Sequence, residues 1–200
     1  MPNCILFYPV FGASLNLFLG SLTVRSQLPL FFDCIGTAIV AIMAGPVLGM
    51  ATGLTTTVLG GVYFAYDLAF APVGIFIGAA VGLLARRGAF KKLSWIIFSG
   101  LGMGLGAGVI SVYVLIFSFS GRPRKGPENL TKFYELIFQD ERVAIISQGL
   151  TSDVLDKVFT VLIACLVLRF MPRALARHYT VTFNSEVLRK VLNAPDPRAE

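Results

Sequence analysis

The sequence predicts an all-α, polytopic membrane protein with six transmembrane helices, and three observations support this fold class. Apolar residues make up 56% of the 200 residues, whereas charged residues make up only 14%. The mean hydropathy is +0.76, which is above the range of soluble domains. Several long stretches contain no charged residue, and a spanning helix needs roughly 20 largely apolar residues. One membrane domain is therefore predicted over residues 1–178.

Most of the helices are assigned from uncharged stretches of the sequence. The first stretch lacks the basic start and the small-residue cleavage site of a signal peptide, so it is predicted to remain as a helix. The stretch at 34–66 would measure roughly 50 Å as one helix, well beyond a hydrocarbon core of about 30 Å. Gly45-Pro46 is predicted to divide it, because proline disfavours a helical residue before it and glycine tolerates unusual dihedral angles. The six helices are predicted near residues 5–24, 28–44, 47–64, 68–85, 93–118 and 151–168.

The distribution of Lys and Arg predicts that both termini are cytoplasmic. With six helices, the termini share one side of the membrane with the loop "RRGAFKK" at residues 86–92, and that side carries the larger number of basic residues. Residues 179–200 then form a cytoplasmic tail, whose apolar residues recur with a helical period from Phe183 to Leu192. This tail is interpreted as a short amphipathic helix on the membrane surface or as a connector to another domain.

Polar side chains converge at the predicted outer ends of the helices. Asp33 stands at the start of the second helix near Arg25, and Thr37 lies one turn deeper on the same face. Charged groups near hydrocarbon usually face an internal or water-filled cavity, which predicts a ligand site. Alternatively, Asp33 is a helix N-cap, and Asp153 with Lys157 forms an ordinary surface ion pair. The further substrate-binding candidates are Tyr63, Tyr66, Asp67, Tyr113, Asp153 and Asp156.

Glycines recur every fourth residue in three of the predicted helices. Such spacing lets helix backbones approach closely in lipid, and most of these glycines are interpreted as internal packing. Docking against another membrane protein is the alternative. Asn16 is predicted to form an interhelical hydrogen bond, because it is polar and lies in the middle of the first helix. The glycine sets are Gly45, Gly49 and Gly53; Gly74, Gly78 and Gly82; and Gly100, Gly104 and Gly108.

The sequence does not predict an enzyme, a cofactor or a metal site. It contains no G-x-x-x-x-G-K-[ST] phosphate-binding loop, and its three cysteines have no CxxC spacing. His178, the sole histidine, falls on the predicted cytoplasmic side, so it cannot join Asp33 or Asp153 in a catalytic triad. The net charge of +6 is explained by basic loops at a membrane surface rather than by nucleic-acid binding.

The stretch "LPLFFDCIGTAIVAIMAGPVLGMATGLTTTVLGG" at residues 28–61, followed by "APVGIFIGAAVGLLARRG", resembles the substrate-binding S components of energy-coupling factor (ECF) transporters. The resemblance covers about residues 5–179. It implies an extracellular pocket for a vitamin or a similarly small organic nutrient. It also implies a partner complex of one membrane coupling protein and two ATPases, in the inner membrane of a bacterium or archaeon.

S components often display a small-xxx-small stripe on the first helix for docking to the coupling protein. Here Gly12, Asn16 and Gly20 give that spacing with a larger polar residue in the middle, and Ala13 is followed four residues later by Leu17. Gly12, Ala13 and Gly20 are therefore the predicted docking residues. A membrane module that senses a ligand for a signalling domain is the second functional hypothesis, and a membrane-embedded enzyme is the third.

Overall fold

The regular structure is helical throughout the residues that the computed structural model describes, which are 3–26, 28, 30–119 and 128–170. The prediction of an all-α fold is confirmed over these ranges. Two short 3-10 helices, Ala65–Phe70 and Ala89–Lys91, precede the fourth and fifth α-helices. The predicted tail at 179–200 lies outside the described residues. The α-helices are α1 (Asn3–Ser26), α2 (Ile35–Ala44), α3 (Pro46–Tyr63), α4 (Ala71–Arg86), α5 (Leu93–Phe119), α6 (Glu128–Phe138) and α7 (Glu141–Arg169).

Within the described residues, three helical segments are long and apolar enough to cross a membrane, as judged by length and composition: Phe7–Ser26, Ala65–Arg86 and Leu93–Phe119. α2 is apolar but has only 10 residues, and α7 has 29 residues but includes several charged side chains. The structure is therefore consistent with a membrane protein that contains transmembrane helices. The number of six spans and the cytoplasmic side of the termini stay predictions.

The predicted start of the second helix is wrong. α2 begins at Ile35 rather than near residue 28. Phe32 has a φ of 50°, in the left-handed region, so the helix cannot extend through it. The preceding backbone is held against α1, because the Thr23 hydroxyl donates a hydrogen bond to the carbonyl oxygen of Phe31 at 2.8 Å. These tertiary contacts draw the chain out of the helical conformation.

The predicted start of the last helix is also wrong, and the loop before it contains the additional helix α6. α7 begins at Glu141 instead of residue 151, because the Asp140 carboxylate caps it by accepting the N–H groups of Arg142 and Val143 at 2.8 and 3.2 Å. α6 packs along α7, and the hydroxyl groups of Tyr134 and Thr151 share a hydrogen bond of 2.7 Å. The described part of the predicted outer loop is thus largely helical.

α2 is the central helix of the bundle. It contacts α1, α3, α4 and α7, and every residue at 35–43 is buried. Its composition of small and aliphatic residues permits this close contact on all sides. At about 1.5 Å per residue, α2 extends roughly 15 Å, which is half of a hydrocarbon core of about 30 Å. The N–H of Gly36, in the first turn of α2, donates to Asn16 near the middle of α1, so the N-terminus of α2 lies beside the middle of this longer neighbour.

The connection between α2 and α3 is the turn predicted at Gly45-Pro46. α2 ends at Ala44, Pro46 opens α3 at the first helical turn, and Gly45 adopts a φ of 90° between them. Such a φ is accessible to glycine without the steric cost that a β-carbon would add. Pro46 suits the first turn of a helix because that position needs no backbone N–H donor. The predicted helical hairpin is confirmed.

The periodic glycines are used for packing within the chain, as the sequence analysis favoured. Gly49 and Gly53 of α3 face Gly78 and Gly74 of α4, so that backbone meets backbone. Gly100 and Gly104 of α5 lie against α7 in the same manner, since β-carbons there would collide with the backbones of Val158 and Val154. The helix pairs α3 with α4 and α5 with α7 are therefore joined by close contact, as small-residue stripes permit in lipid.

We expect a Gly78→Ala substitution to destabilise the protein by about 1 to 3 kcal/mol, the usual cost of overpacking. Its β-carbon would meet the backbone of Gly49 and Met50, which cannot rotate away. The matched control is Gly102→Ala, because a β-carbon at Gly102 meets no atom within 4 Å. Thermal unfolding of both variants in one detergent measures the difference. Equal melting temperatures for the two would contradict the packing role of Gly78.

Candidate functional site

The most concentrated group of ionisable side chains among the described residues surrounds the ammonium group of Lys157 in α7. Its Nζ lies 2.5 Å from Asp156 Oδ2, 3.7 Å from Asp153 Oδ1 and 3.7 Å from Asp33 Oδ1. The ring centroid of Phe31 is 6.0 Å from the same nitrogen, within the range of a cation–π contact. We refer to Asp33, Asp153, Asp156 and Lys157 as the acidic cluster.

The acidic cluster lies inside the helical bundle, except for one carboxylate. Lys157 and Asp153 are buried, and Asp156 is fully buried, whereas 51% of the Asp33 side chain is exposed. Buried charges are costly unless they are paired and hydrogen-bonded, and here each buried charge has at least one partner of opposite sign. Asp33 is the member of the cluster that a molecule from outside the bundle can reach.

Asp156 connects the cluster to the segment between α1 and α2. Its Oδ1 accepts hydrogen bonds from the N–H groups of Phe31 and Phe32 at 3.0 and 2.7 Å, while its Oδ2 pairs with Lys157. The left-handed conformation of Phe32 points its N–H at this carboxylate, which compensates for the cost of the unusual dihedral angle. Asp33 follows directly, so its position depends on a buried residue more than 120 positions away in the sequence.

A buried polar face extends along α7 on both sides of the cluster. Gln148 donates a hydrogen bond to the Ser152 hydroxyl at 2.9 Å, while Thr160 Oγ1 is buried and has no hydrogen-bond partner in the described part of the chain. These residues recur at the spacing of one helical face. Burying polar groups inside a membrane bundle costs free energy. A buried polar face there therefore usually marks a ligand or ion site. The residues of this face are Gln148, Ser152, Asp153, Asp156, Lys157 and Thr160.

The two structural alternatives for these residues are wrong. Asp33 is not the N-cap of α2, because Cys34 holds that position and no side chain caps the helix. The Asp33 carboxylate instead accepts a hydrogen bond from the Cys34 thiol at 3.1 Å and faces Lys157. Asp153 and Lys157 do form an ion pair, but both are buried, so it is not an ordinary surface pair.

Asn16 forms a second polar junction, which uses one of the predicted substrate-binding residues. Its side-chain nitrogen donates to the hydroxyls of Thr37 and Thr56 at 2.8 and 2.9 Å, and its oxygen accepts the N–H of Gly36 at 2.6 Å. The predicted interhelical hydrogen bond of Asn16 is therefore confirmed, and it joins α1, α2 and α3. Thr37 is buried and committed to this junction, one helical turn below Asp33.

The other substrate-binding candidates do not join the acidic cluster. Arg25 is exposed in the last turn of α1, and no carboxylate among the described residues forms an ion pair with it. Tyr66 stacks on Phe119 with a centroid distance of 4.0 Å, which ties the 3-10 helix before α4 to the end of α5. Asp67 lies beside Gly60 of α3. The remaining two candidates, Tyr63 and Tyr113, are exposed.

The predicted docking residues of α1 are covered by this chain itself. Gly12 and Ala13 are buried, and a β-carbon at Gly12 would lie 2.7 Å from Thr52 Cγ2 and 3.1 Å from the carbonyl oxygen of Gly36. Gly20 faces the backbone of Asp33. This stripe therefore joins α1 to α2 and α3, and it presents no exposed surface at Gly12 and Ala13. Docking of a partner protein on this stripe stays a prediction, and the burial of Gly12 and Ala13 does not support it.

Lys157 is the central residue that sequence reasoning left out of the site. Its surroundings could not be recognised while the last helix was assigned a start at residue 151, because the polar residues then stood in the exposed first turns. Asp140 followed by Glu141 is a signal for an earlier helix start. With that start, the polar residues from Gln148 to Thr160 lie on one face of the helix.

Within the described ranges, no group of three or more His, Cys, Asp or Glu side chains is arranged to hold a metal ion. The candidate site consists of carboxylates, one ammonium group and hydroxyls, which are groups that form hydrogen bonds and ion pairs. Comparison of the chain with protein-family models, curated proteins and solved structures finds no match.

Proposed function

We propose that this chain is the substrate-binding membrane subunit of an ATP-driven, ECF-type importer for a vitamin or a similarly small organic nutrient. The observation that carries the proposal is the acidic cluster, in which the half-exposed Asp33 is held next to three buried charged residues. Ionisable side chains inside a membrane bundle are rare and mark ligand or ion sites. The ligand would enter from the extracellular side and contact Asp33.

The composition of the cluster indicates what part of a ligand it would bind. Three carboxylates face a single ammonium group, so acidic groups are in excess. A cationic or hydrogen-bond-donating group of the nutrient would complement the exposed oxygens of Asp33. Because Asp156 holds the backbone of Phe31 and Phe32, the loop that carries Asp33 is positioned before the ligand binds, and such preorganisation favours affinity.

The sequence supports a complex in which this chain binds the ligand and partner proteins hydrolyse ATP. No phosphate-binding loop for ATP is present in the 200 residues, so energy would come from a membrane coupling protein with two ATPase subunits. In this arrangement the chain is located in the inner cell membrane of a bacterium or archaeon as a multi-pass protein. The alternative of ligand sensing depends on the tail at 179–200, which lies outside the described residues.

Reconstitution tests the proposal directly. Mass spectrometry of small molecules that co-purify with the detergent-solubilised chain identifies the ligand, and binding is expected without ATP. In liposomes, uptake of that ligand is expected only when the coupling protein, its ATPases and ATP are present. The matched control replaces the lysine of the ATPase phosphate-binding loop, which should abolish uptake and leave binding intact. Concentrative uptake by the chain alone, driven by an ion gradient, would show that the proposal is wrong.

A further inference from the structure

A groove with a cavity volume of about 760 Å³ lies between α4 and α5, away from the acidic cluster. Its walls are mostly apolar and include three aromatic side chains, of which Trp95 and Phe98 are 60% and 67% exposed. Both helices belong to segments that are long and apolar enough to cross a membrane. The groove therefore opens toward lipid. Its walls include Phe76, Ala80 and Leu84 of α4 and Trp95, Phe98 and Gly102 of α5.

The length of the groove corresponds to one leaflet of a bilayer. From Phe76 to Arg87, α4 rises roughly 16 Å at about 1.5 Å per residue. Half of a hydrocarbon core measures about 15 Å. At the end of the groove away from Arg87, the ring of Phe76 lies against Gly106 of α5. A single acyl chain of a lipid would fit this length, with its polar end at the opposite, open end.

Basic side chains stand at the open end of the groove. Arg87 lines it directly, and the Lys91 side chain lies beside Gly88, another lining residue, about 3.1 Å from the position of a β-carbon there. Both side chains are exposed, and no carboxylate among the described residues forms an ion pair with either. The segment "RRGAFKK" at 86–92 contains no acidic residue. The positive charge at the open end thus lacks a partner within the described part of the chain.

We propose that the groove between α4 and α5 binds an anionic phospholipid, with an acyl chain along the aromatic wall and the phosphate between Arg87 and Lys91. Basic pockets at the ends of membrane helices bind anionic headgroups in this manner. A neutral lipid would leave the two basic side chains without a counter-charge, and a free phosphate would leave the apolar wall empty. The inference depends on the membrane-spanning character of α4 and α5 and not on the transport proposal.

Trp95 provides a direct measurement, because it is the single tryptophan of the chain and lines the groove. The full-length protein is reconstituted in phosphatidylcholine vesicles that contain equal mole fractions of either brominated phosphatidylglycerol or brominated phosphatidylcholine. Bromine quenches tryptophan fluorescence on contact. We expect the relative association constant to favour the anionic lipid at least roughly fivefold, which corresponds to about 1 kcal/mol for one basic residue near the membrane surface. Equal quenching by the two lipids would overturn the proposal.

The double variant Arg87→Gln with Lys91→Gln is expected to reduce the preference for the anionic lipid to about onefold. The matched control is Arg142→Gln, which removes an exposed arginine at the start of α7, outside the groove lining. This control should retain the preference. A preference that survives the double variant would place the anionic lipid elsewhere and overturn the proposal.

A third comparison tests whether the acyl chain occupies the groove. Gly102→Leu places an apolar side chain in the groove at a lining position where the added β-carbon meets no atom within 4 Å. We expect it to lower the quenching of Trp95 by brominated phosphatidylglycerol at least twofold. Gly149→Leu is the matched control, since Gly149 of α7 has the same open surroundings but does not line the groove. Unchanged quenching in the Gly102→Leu variant would overturn the proposal.

Discussion

An Asp156→Ala variant is expected to lose roughly 3 to 5 kcal/mol of unfolding free energy, the usual effect of removing one partner from a buried ion pair. Asp156 is fully buried and makes three contacts: the N–H groups of Phe31 and Phe32, and the ammonium group of Lys157. Its removal leaves two backbone donors without an acceptor. Chemical denaturation of the detergent-solubilised protein, followed by circular dichroism, measures the change.

Asp140→Ala is the matched control for this measurement. The Asp140 carboxylate also accepts two backbone N–H groups through one oxygen, but it does so at the exposed start of α7. Loss of an N-cap carboxylate costs roughly 0.5 to 2 kcal/mol. We therefore expect Asp156→Ala to be clearly more destabilising than Asp140→Ala. Equal losses for the two variants would show that Asp156 does not act as a buried anchor.

An Asp156→Asn variant separates the hydrogen bonds of Asp156 from its charge. The amide oxygen can still accept the N–H groups of Phe31 and Phe32, whereas the ion pair with Lys157 is lost. We expect its unfolding free energy to lie between that of the wild-type protein and that of Asp156→Ala. This variant also keeps the test informative if Asp156→Ala does not fold.

An Asp33→Asn variant is expected to bind the co-purified nutrient roughly ten- to a hundredfold more weakly, because a charge-assisted hydrogen bond contributes about 1.5 to 3 kcal/mol. This prediction rests on the proposed function. Stability should change much less, since 51% of the Asp33 side chain is exposed and its distance to Lys157 Nζ is 3.7 Å. Titration of the purified variant with the ligand measures the affinity, and thermal unfolding of the same sample measures the stability.

Asp140→Asn is the control for the affinity measurement, because it neutralises an exposed carboxylate outside the acidic cluster and retains a side chain that caps helices well. It should leave the affinity unchanged. If the affinity of Asp33→Asn stays within about twofold of the parent, Asp33 does not contact a charged or strongly polar group of the ligand, since such a contact contributes far more. Its carboxylate then serves mainly to balance the charge of Lys157 and to hold the Cys34 thiol.

Much of the fold follows from local sequence features. Hydropathy predicts helices in a membrane, because an uncharged stretch must satisfy its backbone hydrogen bonds internally. Gly45-Pro46 predicts the turn between α2 and α3. Proline disfavours a helical conformation at the residue before it, and glycine tolerates a positive φ. The glycine spacing of α3, α4 and α5 predicts close helix contacts, and these glycines lie against the backbones of neighbouring helices in the structure. Asn16 predicts an interhelical hydrogen bond, because it is a polar side chain in the middle of an apolar helix.

Some candidate residues of the site were also visible in the sequence. Asp33, Asp153 and Asp156 are rare charges beside apolar stretches, and the structure brings all three to Lys157. The tyrosine candidates and Arg25 are not part of that cluster. Aromatic and basic residues are common at membrane interfaces, so their presence near a helix end does not indicate which face they occupy.

The sequence by itself determined that the chain is helical and apolar, where one tight turn lies, and which glycines join helices, because these properties depend on neighbouring residues. The tertiary structure alone decided that α2 begins beside the middle of its longer neighbour α1 and that the polar face of α7 is buried. Both outcomes depend on contacts between distant residues, such as the hydrogen bonds from the N–H groups of Phe31 and Phe32 to Asp156. No helical period specifies which face of α7 meets the other helices, so the environment of Lys157 emerges only when the helices pack together.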